Sequence, residues 1–227
     1  AVFKARCVLV WMANPAVTRI PDAHFFWEAR YNGSQVIAIS PEFTPSAMHA
    51  SLWVNPKPGT DTALAMAICH VILEEKLYAA DYIREQTDLP FLVRLDTGEF
   101  LRGQHLSLVG KFAVEENVYY VWDEAADRMV QAPGTGLADP PIGRDRRKFE
   151  SLELGALRPA LEGRWRVRTL DGEVECTTVF ELLKHRAAEH GPERTAAITG
   201  LNPKLVRRVA RSFATAKPAM IYTGYAA

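Results

Sequence analysis

Residues 52–72 read LWVNPKPGTDTALAMAICHVI. A short apolar piece, Leu52 to Val54, runs into a Pro-Lys-Pro-Gly turn. Thr60-Asp61 follows, and then an apolar run with helical spacing, roughly Thr62 to Glu75. Strand, tight turn and amphipathic helix in that order are the grammar of an α/β fold. Asp61 puts a carboxylate where the first N–H groups of a helix already attract anions. Two readings stand: Thr60 or Asp61 caps the helix, or Asp61 is the fixed part of a ligand pocket.

The neighbouring segments extend the pattern. Cys7 to Trp11 is a continuous valine-rich run, as expected of a strand buried on both faces. The prolines at 15 and 21 are expected to exclude regular structure between them. Asp22 is expected to cap a helix over Ala23 to Tyr31, ended by Asn32-Gly33. Val36 to Ile39 is a second buried strand. Residues 40–51 are expected to be an irregular crossover. The order β-α-β-β-α is the first half of a doubly wound, mostly parallel α/β sheet of Rossmann type.

After about Pro90 the pattern changes. FLVRLDTGEFLRG (91–103) and NVYYVWDEAADRMVQAP (117–133) read as strand-turn-strand pieces, with DEAAD (123–127) as a turn. Asp171-Gly172 lies between two alternating runs, a hairpin signal. A surface loop is expected over 133–143. TVFELLKHRAAEH (178–190) reads as an amphipathic helix. Asn202 and Pro203 open another, with Leu205, Val206, Val209, Ala210 and Phe213 as its apolar stripe. PAMIYTG (218–224) returns as a strand. The expected organisation is an α/β half over 1–90, a β-hairpin excursion over 91–175 and a return to the α/β unit over 176–227. Both ends look cut through a fold, which reads as a segment of a longer chain.

Composition narrows the function. The chain has 227 residues, 48% hydrophobic and 24% charged, with 27 basic and 27 acidic residues. That balance offers no global field for nucleic acid. The arginines of GRDRRKFE (143–150) are interrupted by acids and read as a solvated loop. Cys7, Cys69 and Cys176 are too far apart for a zinc knuckle or a disulfide framework, and read as buried small hydrophobes. The six histidines lack metal-binding spacing. His70 reads as a core histidine, and His24 and His49 as flanking the pocket. No catalytic or metal constellation is visible.

Neither G-x-G-x-x-G nor G-x-x-x-x-G-K-[ST] occurs, which disfavours nicotinamide, flavin and P-loop sites. Yet ligands of such sheets bind at the carboxyl ends of the strands. Three loops leave those ends: Met12 to Arg19, Ser40 to Thr44, and Asn55 to Asp61. Asn14 carries a donor and an acceptor suited to phosphate or ribose. Arg19 suits a phosphate, bidentately. Glu42 suits ribose hydroxyls. Asn14 and Arg19 equally suit loop bracing. Guanine presents two donors on its Watson–Crick edge, and one carboxylate such as Asp61 accepts from both.

NPAVTRIPDAHFFWEARYNGSQVIAISPEFTPSAMHASLWVNPKPGTDTALAMA (14–67) resembles catalytic alpha subunits of the molybdopterin oxidoreductase family. TRIPDAHFFWEARY (18–31) and PKPGTDTALAMA (56–67) are its most specific parts. The branch it resembles holds respiratory nitrate reductase, nitrite oxidoreductase, selenate, chlorate and perchlorate reductases and ethylbenzene dehydrogenase. FLVRLDTGEFLRG and residues 191–224 are similar too; the likeness is thinnest between about Ala113 and Leu161.

The resemblance implies a molybdenum bis(molybdopterin guanine dinucleotide) cofactor whose guanosine diphosphate arm this unit would hold. Asn14 and Arg19, Ser40-Pro41-Glu42 and Pro58-Gly59-Thr60-Asp61 would line that site, with Asp61 on guanine. It also implies a 4Fe-4S cluster whose cysteine motif is not in this sequence, and a molybdenum ligand upstream of the matched residues. The implied partners are the rest of the catalytic chain, an iron–sulfur beta subunit and a haem or membrane-anchor subunit. Parent enzymes are prokaryotic, exported by a twin-arginine signal or associated with the cytoplasmic membrane. The competing expectation is a freestanding, non-enzymatic α/β nucleotide-binding module.

Overall fold

The computed structural model describes residues 2–106, 118–133 and 154–224. The loop expected over 133–143 lies, beyond Pro133, outside the described residues, as does GRDRRKFE. The chain forms two compact units, one from residues 1–78 with 186–227, the other from 79–185.

In the first unit a 3-10 turn (Val2–Lys4) precedes β1 (Cys7–Trp11), α1 (Pro15–Thr18), α2 (Ile20–Tyr31), β2 (Gln35–Ile39), α3 (Pro45–Met48), β3 (Leu52–Val54) and α4 (Asp61–Glu74). The second unit holds α5 (Ala80–Gln86), β4 (Leu92–Arg94), α6 (Gly103–Leu106), β5 (Tyr120–Asp123), β6 (Arg128–Gln131), β7 (Arg164–Thr169) and β8 (Gly172–Thr178). α7 (Val179–Ala188) leads back to α8 (Pro192–Thr199), α9 (Pro203–Thr215) and β9 (Ala219–Thr223).

The sheet of the first unit runs β3-β2-β1-β9, and every pair in it is parallel. All five residues of β1 are buried, because helices cover both faces. Cys7, Leu9 and Trp11 join Ile37 and Ile39 against Leu64, Ala67, Ile68 and Val71 of α4 and Val206, Val209 and Ala210 of α9. Val8, Val10 and Val36 face the other way, against Phe26 of α2. This is the doubly wound α/β arrangement. The crossover from β1 to β2 and the path back to β9 run in opposite directions along the sheet, so their helices fall on opposite faces.

Several local expectations give way. Proline does not break the chain between 15 and 21. Pro15 opens α1 and Pro21 lies in the first turn of α2, where a missing N–H costs nothing. Asp22 is not the cap of α2: Arg19 holds that position, and Asp22 sits in the first turn as a charge favourable to the helix dipole. The crossover over 40–51 contains α3, capped by the Thr44 hydroxyl, which accepts from Ala47 N–H. Asn202 does cap α9, accepting from Lys204 N–H at 2.9 Å.

Two antiparallel sheets make up the second unit, β4-β8-β7 and β5-β6. In the β7–β8 hairpin Thr169 pairs with Gly172, so the two-residue turn is Leu170-Asp171, with Gly172 already in the strand. Arg94 is nearly fully buried and binds Asp96 through two nitrogens, at 3.1 and 2.8 Å, and Asp171 at 3.4 Å.

Bidentate ion pairs tie the helices of the first unit. Arg211 of α9 meets Glu75 at 2.8 Å through Nε and Nη2. Arg207 meets Glu193 of α8 at 2.7 and 2.8 Å. The hydrogen bond from Arg211 holds the Glu75 carboxyl below its ordinary range. A depressed carboxylate stabilises the fold above its unfolded value, and this contribution is lost as pH falls through the folded value. Glu75→Gln therefore lowers the melting temperature at neutral pH and leaves it nearly unchanged in strong acid, as scanning calorimetry at the two pH values would record.

Candidate functional site at the carboxyl edge of the parallel sheet

Register sets the site. Trp11 pairs with Ile39 and with Thr223, and Ile39 pairs with Val54. The last residues of all four strands are therefore level, and the chain leaves them along one edge. β2 and β3 lie on one side of β1 and β9 on the other, so the switch point falls between β1 and β9. The chain leaving β9 approaches closely there. Gly224 N–H donates to Trp11 O at 3.4 Å, and a Cβ at Gly224 would stand 2.3 Å from Met12 O. Only glycine passes at that separation. Gly224 was not among the residues of the three loops read from sequence.

Asp61 is the first residue of α4, and it is half-buried. Its Oδ1 accepts from the indole N–H of Trp11 at 2.7 Å. Thr60 occupies the cap position, yet its side chain makes no cap bond: its hydroxyl donates to Lys57 O at 2.6 Å. The helix-cap reading of this pair is thus replaced by two other bonds. Lys57 in turn is held by α8, its N–H donating to Thr199 O at 2.9 Å and its Nζ to Ala197 O at 3.4 Å.

The other sequence-derived residues divide. Asn14 Oδ1 accepts from the Ser46 hydroxyl at 2.7 Å, and Ser46 Oγ accepts from Ala16 N–H at 3.0 Å. Half of the Asn14 amide is therefore bracing, linking the loop after β1 to α3. Its Nδ2 makes no hydrogen bond among the described residues. Ser40 is buried; its hydroxyl donates to Glu42 O at 2.8 Å, and its carbonyl accepts from Trp53 Nε1 at 3.0 Å. Arg19, Pro41, Glu42, Pro58 and Gly59 are exposed. Arg19 and Glu42 form no ion pair among the described residues. His24 packs on Phe25 with ring centroids 3.9 Å apart, and His49 on Trp27 at 4.4 Å.

Trp11, Ser46 and Lys57 were not anticipated. A tryptophan ending an apolar strand was the available signal, since a buried indole needs an acceptor for its N–H.

For nucleophilic or metal chemistry the described residues offer little. No group of three histidine, cysteine or acidic side chains among them could hold a metal ion. Burial raises the thiols of Cys7 and Cys176 to about 11. Cys69 is half-buried rather than buried, and burial raises it too. No helix among the described residues is long and apolar enough to cross a membrane.

A parallel sheet wound on both faces, with polar side chains along its carboxyl edge, defines the class of α/β units that take ligands across that edge. The chain belongs to the molybdopterin oxidoreductase family, whose sequence profile matches residues 2–226. It is 42% identical to the perchlorate reductase subunit alpha of Dechloromonas aromatica, over 98% of this chain and 25% of that protein. It is 43% identical to the chlorate reductase subunit alpha of Ideonella dechloratans, over 98% and 22%. Against the dimethylsulfide dehydrogenase subunit alpha of Rhodovulum sulfidophilum it is 42% identical, over 99% and 23%. The chain thus spans about a quarter of the length of these relatives. Among solved structures, acetylene hydratase from Pelobacter acetylenicus shares the fold, with a TM-score of 0.53 at 17% identity over 99% of this chain and 19% of that one.

Two outcomes check this geometry. Gly59 has φ +77°, and a Cβ there would meet nothing within 4 Å. Gly59→Ala therefore costs about 1–2 kcal/mol from backbone conformation alone, measurable by denaturant titration. Cys7 and Cys176 are expected to resist alkylation by iodoacetamide at neutral pH until the protein is unfolded, because almost none of either thiol is ionised. Peptide mass spectrometry before and after denaturation reads this directly.

Proposed function

We propose that this chain is part of the catalytic subunit of a molybdenum oxidoreductase of the nitrate and chlorate reductase type, and that its carboxyl edge holds the guanosine diphosphate arm of a molybdopterin guanine dinucleotide. The observation that carries this reading is the Asp61 carboxylate, held at the sheet edge by Trp11, in a chain of this family.

The donor set fits such a group. A carboxylate accepts from both the ring N–H and the exocyclic amine of guanine, whereas adenine presents the wrong pattern. Asp61 Oδ2 makes no hydrogen bond among the described residues, and Oδ1 has a second lone pair. Arg19 supplies an exposed cation for a phosphate. The Nδ2 of Asn14, without a hydrogen bond among the described residues, donates to phosphate or ribose oxygen, and Glu42 accepts from ribose hydroxyls. Gly59, without a side chain, admits the ligand close to the backbone. Ser40 and Thr60 use their hydroxyls to shape the turns, and Pro41 and Pro58 stiffen them.

When bound, the cofactor supplies two-electron oxygen-atom transfer or hydroxylation chemistry at molybdenum. The residues of this chain bind and orient its nucleotide handle. Its partners on this reading are the remainder of a longer catalytic chain and the other subunits of such an enzyme, an iron–sulfur beta subunit among them. The relatives' designation as alpha subunits supports that assembly.

Asp61→Asn turns one acceptor into a donor facing the guanine amine. The loss is about 1–3 kcal/mol of recognition, the cost of a buried group left without a partner. In the full-length protein, guanine nucleotide released on denaturation should fall below one equivalent per site relative to wild type. Wild-type content in the variant would remove Asp61 from the guanine site.

A further inference from the structure

Two tryptophans stand at the carboxyl edge of the sheet, and they use their indole N–H groups differently. Trp53 donates to a neutral backbone carbonyl, Ser40 O, at 3.0 Å. Trp11 donates to a carboxylate, Asp61 Oδ1, at 2.7 Å, the shorter distance of a charge-assisted bond. Trp11 is itself only 9% exposed and packs in the core against α4 and α9. It lies in register between Ile39 and Thr223, so its backbone is held on both edges.

The consequence falls on Asp61. A first-turn aspartate without a tether can turn toward the helix's own N–H groups. Thr60 does not fill that role, because its hydroxyl donates to Lys57 O. The indole holds the carboxylate away from this alternative. It also engages one lone pair of Oδ1, which leaves the rest of the carboxylate to accept from a ligand.

We infer that Trp11 is a positioning residue: its indole N–H fixes the Asp61 carboxylate in the orientation that reads a guanine edge. The inference rests on the nucleotide reading proposed above and adds a determinant of base selectivity. Selectivity then depends on a residue that does not itself touch the base.

The test is calorimetric titration of the full-length protein, produced without its cofactor, with GDP, IDP and ADP. IDP keeps the phosphates, the ring N–H and the carbonyl of the base, and lacks only the exocyclic amine. Wild type is expected to prefer GDP over both. Trp11→Phe keeps the ring and removes the donor, and should lower the GDP-to-IDP affinity ratio about tenfold, the scale of one charge-assisted hydrogen bond. A purely structural role would weaken both nucleotides alike and leave the ratio unchanged, and that result overturns the inference while the guanine reading stands. A wild type without preference for GDP overturns the guanine reading and the inference together. A second measurement needs no variant. In the wild-type nitrogen–proton spectrum the Trp11 indole N–H resonance should move on adding GDP and stay in place on adding ADP. An indole resonance insensitive to GDP overturns the positioning role.

Discussion

Everything in the first unit hangs on the burial of β1. Its five residues lose all or nearly all contact with water, and they do so on two faces at once. That requires apolar helices on both sides, and α2 supplies one layer while α4 and α9 supply the other. It also requires partners for the backbone on both edges, since N–H and C=O groups without water must pair. β2 and β9 provide them. The chain therefore has to come back after a long excursion through the second unit. The return path is held by Arg207 with Glu193 and by Arg211 with Glu75.

This packing has a consequence at the sheet's end. Level strand ends bring the loops that follow β1, β2 and β3 to one edge, and polar bonds brace them. Trp11 meets Asp61, Asn14 meets Ser46, and Ser40 meets Trp53. The braces engage Asp61 Oδ1 and Asn14 Oδ1, while Asp61 Oδ2 and Asn14 Nδ2 make no hydrogen bond among the described residues. An edge built this way is organised before any ligand arrives, which lowers the ordering cost of binding. The exposed Arg19 and Glu42 do not share in this bracing.

Local patterns carried much of the fold. The apolar runs at 7–11, 36–39 and 52–54 marked strands whose cores match the observed ones, because a buried parallel strand leaves a continuous apolar signature. The Asn202-Pro203 helix start was equally legible. Helix starts elsewhere were less so. Pro15 and Pro21 were read as breakers, although N–H groups at the start of a helix have no intrahelical partner to lose. α5 and α8 went unnoticed; the acidic and basic residues of ADYIREQ and PERTAAIT leave only a weak apolar stripe. At the sheet's carboxyl edge, the positions of Asn14, Ser40 and Asp61 were legible from their places after strands. Trp11, Ser46 and Lys57 were not, since each acts through a partner far along the chain.

By itself the sequence determined the α/β class, the succession of strands and helices, and the loops in which polar side chains gather. Those follow from hydrophobic period and turn chemistry, which act over a few residues. The tertiary structure decided what Asp61 bonds to. Thr60-Asp61 before an apolar helix is a capping pattern, and only the register of β1 against its neighbours brings an indole 50 positions away in the chain to that carboxylate. A hydrogen bond of that span depends on how two layers pack: the local sequence says that a buried indole needs an acceptor, and only the packing says which one.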